Sequence, residues 1–220
     1  MGDTHISYHN WLVAVFLVTA HKIGISSLQL AKDIGVTQKT AWFMFQRINN
    51  IVNNPEDLLS GVVEVDETYV GGKERNKHKN KRTAKKNKIL GEKAVVLGMI
   101  ERGNKLVMQK IDKTICEHIE PVINQYISKT TVVNTDESLA YNKALGGRQR
   151  QMVNHHIGIY ADGNVTTNRI EGMFSHLKRM IRGTHIFISH KHLQDYMNMF
   201  CFRMNTRELN LMNTKGLMYY

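Results

Sequence analysis

Apolar and polar residues recur at two different periods along this chain, and the period changes near residue 55. Before that point the spacing is helical. Over 6–20, Ile6, Trp11, Val15 and Phe16 fall at or near helical intervals. The following SSLQLAKDIGVTQKTAWFMFQRI predicts two short helices. Ser27 can cap the first, which carries Leu28, Leu30, Ala31 and Ile34. Gly35 ends it, because a left-handed terminal turn favours glycine. Thr37 caps the second, whose apolar face is Ala41, Met44, Phe45 and Ile48. Pro55 then lies in a polar stretch, 48–61, that reads as a linker.

Behind the linker the pattern changes to strands. The valines of VVEVDETYVGG predict a strand over 62–70. Residues 93–111 predict a hairpin turning at Gly103-Asn104. A helix follows over 114–129, kinked or started at Pro121, then a short buried strand within 130–138. SLAYNKAL predicts a helix and RQMVNHHIGIY another strand. Two longer helices come last, at about 167–181 and 189–205. Ile170, Phe174, Leu177 and Ile181 form the apolar stripe of one; Leu193, Met197, Phe200 and Met204 form that of the other. Three successive strands, then strands alternating with helices, predict an α/β fold with a mixed sheet flanked by helices.

Composition narrows the function classes. The 220 residues suffice for one sizeable domain and a small one. Cys116 and Cys201 are too few and too far apart for a disulfide framework or a four-ligand zinc site, and imply a reducing compartment. The run WLVAVFLVTA is too short to span a bilayer, and the opening MGDTHISYHN is too polar for a signal peptide. The net charge of +11 points to a polyanionic partner, above all nucleic acid. Residues 73–93 hold ten Lys or Arg against two Glu, a local net of +8. Such a run is either a solvated loop or a surface for backbone phosphates. The two short front helices and their glycine turn resemble a helix-turn-helix, whose second helix enters the major groove. Gln38, Lys39 and Thr40 would then face DNA; a plain helical hairpin is the alternative.

The acidic residues carry the candidate chemistry. Asp66 and Asp136 each follow a run of valines, so neighbouring strands would bring both to one sheet edge. Asn168, Glu171, Ser175 and Lys178 share the polar face of a helix whose other face is the stripe Ile170–Ile181. Docked on the sheet, that helix would aim Glu171 at the two aspartates. Three converging carboxylates repel one another, and a hard divalent cation is the natural neutraliser. Two such ions suit phosphoryl transfer. Taken singly, each acid reads as an exposed strand-end or helix-start acid, and Glu171 sits where the helix dipole favours an acid anyway; the combination is what points to a site. Glu64 shares the strand face of Asp66, while Glu67 faces the other way. His155 and His156 adjoin a strand without a partner at metal-ligand spacing, and read as structural or DNA-contacting.

The motifs VEVDETYVGGKERNKH, NTDES, TTNRIEGMFSHLKRMIRGTH and HLQDYMNMFCFRMNTRE together resemble bacterial insertion-sequence transposases of the ISXO-like group. The resemblance runs from about residue 5 to 208. It implies a DDE-class enzyme with a ribonuclease-H-like catalytic domain over 60–212, behind a helix-turn-helix region over 1–55. It implies Asp66, Asp136 and Glu171 as the catalytic acids and ligands of two Mg²⁺ (or Mn²⁺) ions, with Lys178 as the basic residue after the third acid. Gln38, Lys39, Lys73, Arg75, Lys77, Lys79, Lys81, Arg82 and Lys178 are the expected DNA contacts. The expected partners are double-stranded terminal inverted repeats and target DNA, bound by a homodimer or larger assembly in the bacterial cytoplasm, at the nucleoid. Relatives usually carry a zinc ribbon upstream of the helix-turn-helix, which this chain lacks, and often His where this chain has Thr166. A truncated or domesticated DNA-binding derivative without catalysis, and a nuclease that cuts without joining, are the competing readings. Asn168 is a possible neighbour or substitute for Glu171.

Overall fold

The computed structural model describes residues 4–52, 57–72, 93–103, 105–153, 161–162 and 165–207. Two compact units divide the chain, 55–178 and a second made of 1–54 with 179–220. The second unit includes residues 179–212, which the family resemblance groups with the sheet domain.

The unit 55–178 holds β1 (Val62–Val70), β2 (Ala94–Glu101), β3 (Leu106–Ile111), α4 (Cys116–Tyr126), β4 (Val132–Thr135), α5 (Tyr141–Ala144) and β5 (Gln149–Met152). A small pair, β6 (Ala161–Asp162) and β7 (Val165–Thr166), precedes α6 (Asn168–Met180). The main sheet has the order β3-β2-β1-β4-β5. β1, β2 and β3 are antiparallel, whereas β4 and β5 run parallel to β1. This is the mixed α/β sheet that the sequence pattern predicts.

Strand alternation gives each sheet face its own partner. Val63, Val65, Leu97, Met99 and Val133 face a core completed by Ile119 and Ile123 of α4 and Tyr141 of α5. Burying such a side chain contributes about 1.5–3 kcal/mol, so a one-residue slip of β1 would forfeit that face entirely. The other face carries Glu64, Asp66 and Thr68 from β1 and Gly98 from β2, with Asp66 paired directly to Gly98. Here α6 lies against the sheet. A Cβ on Gly98 would stand 2.6–2.7 Å from Phe174 Cε1, Phe174 Cζ and Ile170 Cδ1. Only glycine lets the helix approach so closely at this point.

Several elements are shorter than their sequence patterns. The helix over 114–129 starts at Cys116, so Pro121 lies inside it rather than opening it. The strand within 130–138 is four residues long, and SLAYNKAL contributes a single turn. Of RQMVNHHIGIY, β5 ends at Met152; His155 and His156 lie outside the described residues.

The unit of 1–54 and 179–220 is helical, with α1 (Tyr8–Ala20), α2 (Ser27–Ile34), α3 (Gln38–Ile51), a π-helical turn (Ile181–His185) and α7 (Leu193–Asn205). The buried face of α1 is Trp11, Ala14 and Val18, while Phe16, which the helical spacing groups with Trp11, is 66% exposed. Ser26, not Ser27, caps α2, its hydroxyl accepting from the Gln29 amide at 3.1 Å. Gly35 takes the left-handed conformation at φ 68°, and Thr37 caps α3, both as the pattern requires. Among the described residues no helix is long and apolar enough to cross a membrane.

A partly buried aromatic group ties α3 to α7. The His185 ring lies 5.7 Å from that of Phe45 and 4.7 Å from that of Tyr196. Burial first, and the Arg203 guanidinium second, push its pKa down to about 4. Its Nε2 is buried without a hydrogen-bond partner, so a proton there would find no acceptor.

Two stability measurements check this account. Gly98→Ala should cost about 1–3 kcal/mol in urea unfolding, the usual cost of overpacking; parent stability would contradict the close approach. For His185, the folded pKa lies below the unfolded value of about 6.5. The unfolded state thus binds more protons below pH 6.5, and stability present above that pH is lost as pH falls toward 4. The loss amounts to at most about 3 kcal/mol. Both tryptophans, Trp11 and Trp42, lie in this unit, so fluorescence reports its unfolding. Between pH 7 and 4 the parent should lose more stability than His185→Phe; equal losses would contradict the assignment.

Candidate active site

The acidic site is built where two parallel strands part company. β4 pairs with β1 only from Val62 to Glu64. β1 continues to Val70, so Asp66 lies in mid-strand rather than at a strand end. Beyond the last pairing its side toward β4 is open, and Asp136 follows directly after β4. The two strands are neighbours, the condition under which the valine runs bring both aspartates to one edge, and their parallel pairing brings Asp66 and Asp136 within reach of each other's charge at this break.

Backbone amides anchor the two aspartates, and a side-chain hydroxyl holds Glu171. Asp66 Oδ1 accepts from the Glu67 amide at 2.8 Å. Asp136 Oδ1 accepts from the Ser138 amide at 3.1 Å, closing a tight turn. Glu171, in the first turn of α6, is exposed, and its Oε1 accepts from the Thr167 hydroxyl at 3.1 Å. The three acids share one field. Burial, then the charges of Glu67, Asp136 and Glu171, push Asp66 up to about 7, against the pull of the Glu67 amide. Glu67 is on the opposite face, where it accepts from the Tyr141 hydroxyl. Burial raises Glu67, with the Asp136 charge adding to it, while the Tyr141 hydrogen bond opposes the shift.

Residues that sequence periodicity did not single out hold this arrangement. Arg150 of β5 spans the turn after β4. Its Nε donates to Thr135 Oγ1 at 2.8 Å, and its second amino group to the carbonyls of Asp136 at 2.7 Å and Ser138 at 3.0 Å. Its remaining nitrogen reaches Asn142. Nothing in the local sequence marks Arg150, because its role depends on the pairing of β4 with β5. Glu64 was visible only as a strand-face companion of Asp66. It is fully buried, and its Oε2 accepts from the amides of Arg169 at 3.0 Å and Ile170 at 3.3 Å. Lys178 stands two turns along α6 from Glu171 and is half-buried; Asn168, at the helix start, is exposed.

Among the described residues no group of three or more His, Cys, Asp or Glu is placed to hold a metal ion as it stands. The donor chemistry of Asp66, Asp136 and Glu171 nevertheless fits a hard divalent cation, being entirely carboxylate oxygen. Burial is the main cause of the raised pKa of Asp66, and the neighbouring acid charges add a repulsion that such a cation would relieve.

In the helical unit, Gln38 and Lys39 are exposed at the start of α3. Gln38 Nε2 donates to Ser27 Oγ at 3.2 Å, bracing α3 against α2. Thr40 is half-buried and shares a hydrogen bond with Thr37. The exposed side of α3 also presents Trp42, Phe43 and Arg47, with the Arg47 guanidinium 4.5 Å from the Phe43 ring centre. These three were not foreseen. Lys73, Arg75, Lys77, Lys79, Lys81 and Arg82 lie outside the described residues.

Comparison with known proteins finds a family match over residues 58–205, to the ISXO2-like transposase domain. The chain is 27% identical over 208 residues to an uncharacterized protein in transposable element ISH50 of Halobacterium salinarum, covering 90% of this chain and 70% of that protein. Among solved structures, a chain of the simian T-cell lymphotropic virus intasome in complex with PP2A regulatory subunit B56 gamma aligns at TM-score 0.38 and 10% identity. That alignment covers 88% of this chain and 65% of the other. The Mos1 transposase paired-end complex with left transposon end aligns at TM-score 0.35 and 9% identity, covering 94% of this chain and 77% of the other.

The Arg150 brace is open to test. Arg150→Lys cannot reach three acceptors as a fork and should cost about 1.5–3 kcal/mol. Amide exchange should quicken with it at Ser138 and at Val153, whose amide donates to the Thr135 carbonyl at 3.0 Å. Parent exchange rates at both amides would show that Arg150 does not hold the Asp136 turn.

Proposed function

We propose that this chain, which belongs to the ISXO2-like transposase domain family, cleaves DNA phosphodiester bonds at the ends of its element and joins the freed 3′ ends to target DNA. The observation that carries this reading is the shared field of Asp66, Asp136 and Glu171 at the break between β1 and β4. In it, Asp66, Asp136 and Glu171 hold two Mg²⁺ (or Mn²⁺) ions. Bound there, these ions supply activation of the attacking oxygen and stabilisation of the leaving one.

The remaining roles belong to the chain itself. Asp136 is presented by its turn, and Glu171 by the first turn of α6, so the ligand oxygens are positioned before any substrate arrives. Lys178 on α6 meets a backbone phosphate beside the acids. The cations of 73–93 extend that contact along the duplex and make binding steeply salt-dependent. Gln38 and Lys39 at the start of α3 enter the major groove, as the second helix of a helix-turn-helix does. Two copies of the chain hold two element ends, working at the nucleoid in the bacterial cytoplasm.

Asp66→Asn keeps the side chain's shape and removes its charge. In a plasmid assay with the element's terminal repeats and Mg²⁺, cleavage should fall by about 100-fold or more. Gel-shift affinity for the same DNA should be unchanged. Cleavage at the parent rate would sink the assignment. Binding without cleavage by the parent chain would favour the non-catalytic derivative, and nicks without joined product the nuclease.

A further inference from the structure

Helix α6 begins with an unusual cap. First-turn amides of a helix are ordinarily satisfied by a Ser, Thr, Asp or Asn side chain at the residue just before it. Here the acceptor for Arg169 and Ile170 is Glu64, 105 and 106 positions away on β1. This carboxylate is fully buried, and its other oxygen has no hydrogen-bond partner. Burying a carboxylate to close a helix end is costly when a local side chain could serve. The arrangement does something a local cap cannot: it ties the start of α6 to the centre of the sheet.

The tie acts on the acids directly. Glu64 and Asp66 project from the same face of β1. Glu171 immediately follows Ile170, whose amide Glu64 binds and whose side chain rests against Gly98, the partner of Asp66. Ile170 is thus held at both its amide and its side chain. We propose that Glu64 is a positioning residue for the acidic site: its carboxylate fixes the start of α6, and so sets where Glu171 stands relative to Asp66. This inference rests on the reading that these acids bind a divalent cation for strand cleavage.

The test compares Glu64→Gln with Glu64→Asp in the full chain. Glutamine keeps a carbonyl oxygen at the same reach; aspartate keeps the charge but is one methylene too short for both amides. Three quantities are read: Mn²⁺ affinity without DNA, by electron paramagnetic resonance; exchange of the Arg169 and Ile170 amides; and single-turnover cleavage at saturating DNA. Glu64→Asp should expose both amides to faster exchange. Its Mn²⁺ affinity and cleavage rate should each fall by about 10–100-fold, as for other outer-shell partners of metal ligands. Glu64→Gln should hold the amides and restore most of both. Parent Mn²⁺ affinity and cleavage in Glu64→Asp would overturn the proposal, even with a lowered melting temperature, because the role would then be stability alone. Glu64→Gln failing as badly as Glu64→Asp would also overturn it, by making the charge the requirement. A parent chain that neither binds Mn²⁺ nor cleaves would instead overturn the functional reading, and this role with it.

Discussion

Three carboxylates that repel one another cannot hold themselves together. Their proximity at the break between β1 and β4 has to be imposed by bonds made elsewhere, and the rest of the sheet unit follows from that constraint. The register of β1 comes first. Its odd-numbered side chains are committed to the apolar core on α4 and α5, so Glu64 and Asp66 have only the opposite face available. The early end of β4 then leaves room for Asp136 beside Asp66. Arg150 secures the turn that carries Asp136, and Gly98 with Glu64 secures the helix that carries Glu171.

The clamps are made largely to backbone groups. This suits a site whose side chains have to stay available for ligands. Arg150 binds the carbonyls of Asp136 and Ser138 and leaves the Asp136 carboxylate to the Ser138 amide. Glu64 binds amides of α6 and leaves the Glu171 side chain exposed, touched by Thr167. The electrostatic cost falls on Asp66, which sits half-buried among three other carboxylates.

Much of this was legible in the sequence, and the parts that were not share a reason. The valine runs located β1 and β4, and the apolar stripe of 170–181 located α6, because periodicity reports which face is buried. Gly35 and Thr37 were legible because turn and cap chemistry is local. Spacing grouped Phe16 with Trp11, but α1 is apolar on nearly every face, so spacing alone cannot choose the buried one. Arg150, Gly98 and the capping role of Glu64 were hidden for a different cause. Each acts through a neighbour brought alongside by strand order or helix docking, at separations that no local pattern encodes. Pro121 shows local propensity yielding to packing, since the helix runs through it with Ile119, Val122 and Ile123 buried against the sheet.

The central claim is that Asp66, Asp136 and Glu171 form one ligand set for a divalent cation. Crystals of the chain soaked in Mn²⁺, with diffraction recorded near the manganese edge, test it most directly. The account predicts anomalous density in contact with carboxylate oxygens of Asp66 and Asp136, with Glu171 turned toward it. Manganese bound elsewhere with this edge of the sheet empty, or none bound at saturating concentration, would contradict it.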